Sequence, residues 1–276
     1  MHALLGVVAA RSRAGGRVGC IEVRAAFLDH CAPSLPAVLG SLADGRARSC
    51  VVVPLLLTAA YHSKSDIPAQ LAAADAAAVS TADRVAVRCA ATLGPHPLLL
   101  AALERRLREA GAGVDSAADR ARTSVVLAAA GSSDPAANAT IADLAARWQR
   151  DRGWRAVVPA YASATGPGPA EAVAALRDHS RGPVVVATYL LAPGYFADKI
   201  SAASLAAGAS AVSDALGAAP EVADVVLARY REALCERLPS DTGYASPAVV
   251  TTRLVTCSMR GNPRGMDLPA RAPRRA

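Results

Sequence analysis

Aromatic side chains make up only 4% of this 276-residue chain, and lysine is scarcer still, since Lys64 and Lys199 are the full complement. The counterweight is alanine and arginine, a bias that high-GC codon usage produces and that says little about function. No apolar run approaches the roughly 18 residues that suggest a membrane span, so no membrane partner is expected. The apolar start, Ala3 to Ala10, lacks a basic stretch before it and has Arg11 and Arg13 after it, the wrong polarity for a signal peptide. There is no Cys-x-x-Cys: Cys20, Cys31, Cys50, Cys89, Cys235 and Cys257 show no paired spacing and read as reduced structural thiols. A soluble cytoplasmic enzyme is the expectation. The net charge of +7 resembles a nucleic-acid signature until it is located. From Arg237 onward seven arginines face only Asp241 and Asp267, so the body is nearly neutral and no nucleic-acid partner is expected. Residues 237–276 are rich in Pro, Gly, Ser, Thr and Arg without a helical period, and are expected to be a disordered basic tail.

What the chain does contain is one α/β unit written twice. Val51-Val-Val-Pro-Leu-Leu-Leu-Thr-Ala-Ala-Tyr61-His62 parallels Val184-Val-Val-Ala-Thr-Tyr-Leu-Leu-Ala-Pro-Gly-Tyr195-Phe196. Leu93-Gly94-Pro95-His96-Pro97 parallels Leu216-Gly217-Ala218-Ala219-Pro220, each followed by a helix carrying Arg-Glu-Ala, at 108–110 and 231–233. Ala26-Phe27 with Pro33 parallels Ala160-Tyr161 with Pro167. The second copy opens with a strand, Thr123 to Ala129, then Gly131-Ser-Ser-Asp-Pro135 and a helix. The first copy opens inside the equivalent helix, because Ala3 to Arg11 lines up with Ile141 to Arg147. Its sheet is therefore expected to lack its first strand, leaving 21–27 or 50–57 at an exposed edge that invites a homodimer.

Short β-branched and aliphatic runs alternate with helical stretches. Strands are expected at 21–27, 50–57, 84–90, 123–129, 156–161, 184–190 and 209–213, with helices near 34–43, 66–78, 96–110 and 137–152. Strands separated by helices indicate parallel sheets of βαβ units. The fold class is α/β, two doubly wound, parallel-sheet domains in tandem, with domains at 1–118 and 119–236. Ligands of such sheets bind beyond the carboxyl ends of the strands. That directs attention to the loops Asp29–Pro33, Thr58–Pro68 and Gly131–Pro135.

The middle loop carries the most chemistry. His62 follows a buried strand; a neutral imidazole suits divalent cobalt, iron or nickel and takes a proton near neutral pH. Asp66 and Pro68 suit the start of the next helix. Asp29, past the neighbouring strand, offers a carboxylate on the same side, or serves as a helix cap or solvated loop residue. His2, His30, His96 and His179 read as surface or structural.

Together these motifs resemble the sirohydrochlorin chelatases, the cobalt or iron chelatases of cobalamin and sirohaem synthesis, in their long two-domain form. The resemblance rests on Val-Val-Pro-Leu-Leu-Leu-Thr-Ala-Ala-Tyr61-His62 with Asp66-Ile-Pro68, Ala26-Phe27-Leu28-Asp29 with Pro33-Ser34, Ala-Ala-Gly131-Ser-Ser-Asp-Pro135, and Tyr189-Leu-Leu-Ala-Pro-Gly-Tyr195-Phe196-Ala-Asp198. It covers about 1–235 and leaves the tail unexplained. It implies chelatase-like domains, a tetrapyrrole substrate, a divalent metal as second substrate and no organic cofactor. It also implies two metal-holding histidines, one in a His-Gly loop after the first strand and one matching His62, where Ala60 replaces a glycine. In the second copy Ala130-Gly131 stands at the His-Gly position and Phe196 at the other. By the same resemblance Asp29 sits near an acidic residue close to the metal. Tyr61, Lys64 and Lys199 are assigned to the substrate, the two lysines because a carboxylate-rich macrocycle favours positive charge at the mouth. With one histidine and no first strand, insertion is expected to be weak or absent. Two other readings are a non-catalytic tetrapyrrole- or metal-binding paralogue, and phosphate binding at Gly131–Pro135, where a loop opens a helix.

Overall fold

The structure, a computed structural model, describes residues 2–14, 21–28, 31–44, 49–59, 65–76, 85–179, 181–235 and 252–258. The N-terminal half begins with α1 (His2–Ala14), β1 (Val23–Phe27), α2 (Leu35–Asp44) and β2 (Ser49–Pro54). It continues with α3 (Ile67–Ala76), β3 (Ala86–Cys89) and α4 (Pro97–Glu109). A short α5 (Ala117–Arg122) leads into β4 (Ser124–Ala129), α6 (Pro135–Arg152), β5 (Ala156–Tyr161) and α7 (Pro169–His179). Then come β6 (Val184–Tyr189), α8 (Tyr195–Ala206), β7 (Ala211–Val212) and α9 (Pro220–Cys235). A last strand, β8 (Thr252–Ser258), follows.

Two four-stranded parallel sheets result, ordered β1-β8-β2-β3 and β5-β4-β6-β7. The internal repeat is visible in the backbone. Phe27 N–H donates to the Pro33 carbonyl at 3.0 Å, and Tyr161 N–H to the Pro167 carbonyl at 2.9 Å. Both α4 and α9 begin at the proline that the repeat aligned, Pro97 and Pro220. Strand spacing of period two sorts the side chains. In β2, Cys50 and Val52 face α2 and α3, while Val51 and Val53 face the other half. In β4, Val126 and Ala128 pack with α7 and α8, while Val125 and Leu127 join the shared core. This alternation is what a sheet covered by different layers on its two faces requires.

The central layer is shared. Helix α4 packs on β6 of the C-terminal sheet, and α9 packs on β2 of the N-terminal one. Ion pairs cross with them: Arg11 to Asp224 at 2.5 Å and Arg105 to Glu221 at 2.6 Å. Trp148 of α6, fully buried, donates its indole N–H to Glu104 of α4 at 3.0 Å.

The sheet of the N-terminal half departs from expectation. Within the tail, 252–258 form a parallel strand bonded on both sides. The N-terminal sheet does not lack a strand, since β8 fills the position between β1 and β2 that β4 fills between β5 and β6. Of the two strands expected at an edge, β1 is at one, as β5 is in the other sheet, while β2 lies between β8 and β3. No sustained helical period and an arginine-rich setting hid a β-branched run, Val249-Val-Thr-Thr-Arg-Leu-Val-Thr256. Helix α5, with its Ser116/Asp119 capping box, was also not anticipated. Among the described residues no helix is long and apolar enough to cross a membrane.

Candidate functional site

All strands of the two sheets are parallel, so each sheet gathers its carboxyl ends on one side. Phe27, Pro54 and Ser258 end the strands of one, and Tyr161, Ala129 and Tyr189 those of the other. His62, Tyr61, Lys64 and Asp29 lie outside the described residues, but the chain on either side of them is placed. Leu55 to Ala59 leave β2 at its carboxyl end, and α3 begins at Ile67 directly after Asp66. Gln70 of α3 donates its side-chain amide to the Leu28 carbonyl at 2.8 Å. This ties the helix that follows the His62 loop to the residue before Asp29. The sequence reading passed over Gln70; its only signal is a polar residue one turn past Asp66.

The second half makes the same tie with a different residue. Lys199 donates from Nζ to the Ala162 carbonyl at 2.6 Å, and Ala162 follows Tyr161 as Leu28 follows Phe27. Lys199 lies inside α8 and not in a loop. Its ammonium braces the turn after β5 through this one bond and keeps two further N–H donors. Tyr195 and Phe196 open α8 as an exposed edge-to-face pair with centroids 5.6 Å apart.

A cavity of about 300 Å³ lies between the halves at these strand ends. Leu55, Leu57 and Thr58 line it from one side, and Gly131, Asn138 and Tyr189 from the other. Tyr189 is buried, and its hydroxyl reaches the Leu57 carbonyl at 3.4 Å across the two repeats. Burial raises its phenol pKa well above the usual range. Gly94 packs against the same pair: a Cβ there would overlap the Leu57 carbonyl and stand 2.5 Å from the Tyr189 hydroxyl. The wall is apolar with a few polar points, the general make-up of a small-molecule site.

Several donors of the loop from Gly131 to Pro135 that a phosphate would need are bonded within the loop and the helix it opens. Ser132 N–H donates to Asn138 Oδ1 at 3.0 Å, Asp134 N–H to Ser132 Oγ at 3.1 Å, and Ala136 N–H to Asp134 Oδ1 at 2.9 Å. Gly131, at φ +86°, is demanded by packing, because any Cβ would collide with the Ser163 carbonyl. The other described histidines are structural or peripheral. His96 caps α4, its Nδ1 accepting from Leu98 N–H at 3.2 Å. Burial, then the Arg229 charge, lowers its pKa, which keeps the acceptor neutral. His179 bonds the Ala175 carbonyl at 2.7 Å, and His2 is exposed. Among the described residues no three His, Cys, Asp or Glu side chains gather into a metal-sized cluster.

Comparison with known proteins gives the family. A family model described as CbiX matches twice, over residues 6–110 and 124–233. Among solved structures, SirB from Bacillus subtilis with Fe3+ is 25% identical at a TM-score of 0.67, over 83% of this chain and 88% of that one. The sirohydrochlorin chelatase SirB from Bacillus subtilis subspecies spizizenii, in complex with cobalt, is 21% identical at 0.61, over 84% and 88%. DR2241 from Deinococcus radiodurans, a multi-domain protein with structural similarity to chelatases, is 22% identical at 0.60, over 84% of this chain and 50% of its own. No curated protein sequence matches. With two copies of the family match covering most of its length, on two parallel sheets whose carboxyl ends meet at one cavity, the chain belongs to the CbiX family of chelatases.

Proposed function

We propose that this protein inserts cobalt or ferrous iron into sirohydrochlorin or a close relative. The double CbiX match carries the reading; its first copy takes in β1, β2 and β3, and its second all four strands of the other sheet. The apolar cavity at the strand ends, flanked by the chain that leads to His62, supports it. In this reading the macrocycle lies against the apolar wall between the repeats, with Tyr61, Lys64 and Lys199 as its contacts. His62 holds the ion while it sheds water, and Asp29 assists. Insertion replaces two protons on the macrocycle's nitrogens with the divalent ion, so a base must accept protons as the metal enters. An imidazole can act as ligand or as base near neutral pH, but one ring is poorly suited to do both at once.

That shortage favours a second reading, a paralogue that binds tetrapyrrole or metal without turnover. The five histidines of the sequence end at His179, so the strand that returns at 252–258 brings no histidine with it. A cobalt titration of wild type and His62→Ala tests the site: the variant should lose the tightest binding by tenfold or more. Equal affinity in both rejects His62 as the ligand. Phe196→Ala should bind as wild type does, because a benzene ring cannot coordinate.

A further inference from the structure

We infer that residues 252–258 are the first strand of the N-terminal repeat carried at the other end of the chain, so that the repeat is cyclically permuted and the tail assembles the N-terminal sheet. Register is the main observation. Phe27 corresponds to Tyr161. Three residues before the aligned Leu93 and Leu216, Ala90 N–H donates to the Val52 carbonyl and Ser213 N–H to the Val186 carbonyl, both at 2.8 Å, so Val52 corresponds to Val186 and Pro54 to Thr188. Ser258 pairs with Phe27 as Ala129 pairs with Tyr161, and Cys257 pairs with Pro54 as Ala128 pairs with Thr188. The same offset of the strand therefore holds on both flanks.

Direction is the second observation. A tail that merely extends a sheet can add at an edge, in either orientation. β8 instead lies inside the sheet and parallel to both neighbours, as β4 does. The third observation is the sequence around it. After β8 the chain reads Met259-Arg-Gly-Asn-Pro263, and after β4 it reads Ala130-Gly-Ser-Ser-Asp-Pro135, both closing on an Asn or Asp followed by Pro. In the second repeat that run leads into α6, which packs on β5; α1, matched by sequence to α6, packs on β1. Strand and helix thus recur in the same spatial order, with the strand displaced in chain order.

Paired strands lie about 4.8 Å apart, so without β8 neither β1 nor β2 could bond across the gap; β1 would lose its ladder and β2 would keep only the one to β3. The loops that carry Asp29 and His62 leave those two strands. The dependence of a metal site on the tail rests on the chelatase reading; the permutation does not. Hydrogen exchange of the full chain, without metal or tetrapyrrole, tests it. Amides of 252–258 should exchange as slowly as those of 124–129. Val255→Pro should speed exchange at 23–27 and 49–54. A second variant keeps that proline and places a copy of 250–258, joined through the 130–135 sequence, ahead of His2. It should recover slow exchange at 23–27 and 49–54 even where the proline variant alone fails to fold. Fast exchange at 252–258 in the wild-type chain, or no recovery in the relocated variant, overturns the inference. Slow exchange in a protein that never inserts metal would leave it standing while removing the chelatase reading.

Discussion

At the residue scale the two glycines that border the cavity are fixed by close approach, and the consequences differ from those of a loop glycine. Gly131 combines φ +86° with the Ser163 carbonyl lying where a Cβ would go. Gly131→Ala should cost about 1–3 kcal/mol, the scale of a strained backbone position, read as a lowered denaturant midpoint. An unchanged midpoint would mean that the loop moves aside. Only part of this was legible beforehand. The glycine stood out as a match to a family motif, but the reason for it, contact with a carbonyl 32 positions on, is a tertiary fact that spacing does not encode. The same holds for Lys199. Its hydrogen bond at 2.6 Å to the Ala162 carbonyl joins residues 37 positions apart. His62 lies outside the described residues, so its assignment rests on the sequence motif alone.

At the element scale the interface helices carry the clearest electrostatic consequence. Glu221 opens α9 and accepts from Arg105 of α4 at 2.6 Å. Burial pushes its pKa up, yet the Arg105 hydrogen bonds and charge outweigh this and hold it below the ordinary 4.5. A depressed carboxyl pKa stabilises the fold above the unfolded value, and the gain disappears as pH falls through the folded one. Glu221→Gln should therefore cost about 1 kcal/mol at neutral pH, given that Arg105 is partly exposed. The gap between variant and wild type should close below about pH 4 in thermal melts. A gap that persists in acid would show that the charge is not the cause. Most elements were legible from period and punctuation: β5 runs over 156–161 as expected, and α6 ends at Arg152. β8 was not legible, because pairing partners 200 residues away leave no local trace. Its β-branched residues were the one available sign.

At the scale of the whole molecule the two repeats form one core. Residues of both halves meet in a single buried cluster, from Leu4, Val51 and Leu103 to Trp148, Tyr189 and Tyr230. The repeat predicted two similar sheets, but not that their last helices would cross, α4 onto β6 and α9 onto β2. Trp148→Ala should thus cost about 3–5 kcal/mol and shift the unfolding of both sheets together. Separate transitions for the halves would contradict a shared core. The central claim concerns what this core holds at its strand ends. Its most direct test is the rate of cobalt and ferrous iron insertion into sirohydrochlorin by the purified chain beside His62→Ala. We predict slow, metal-dependent product formation that the substitution removes; tetrapyrrole binding without turnover, or turnover indifferent to His62, would contradict the account.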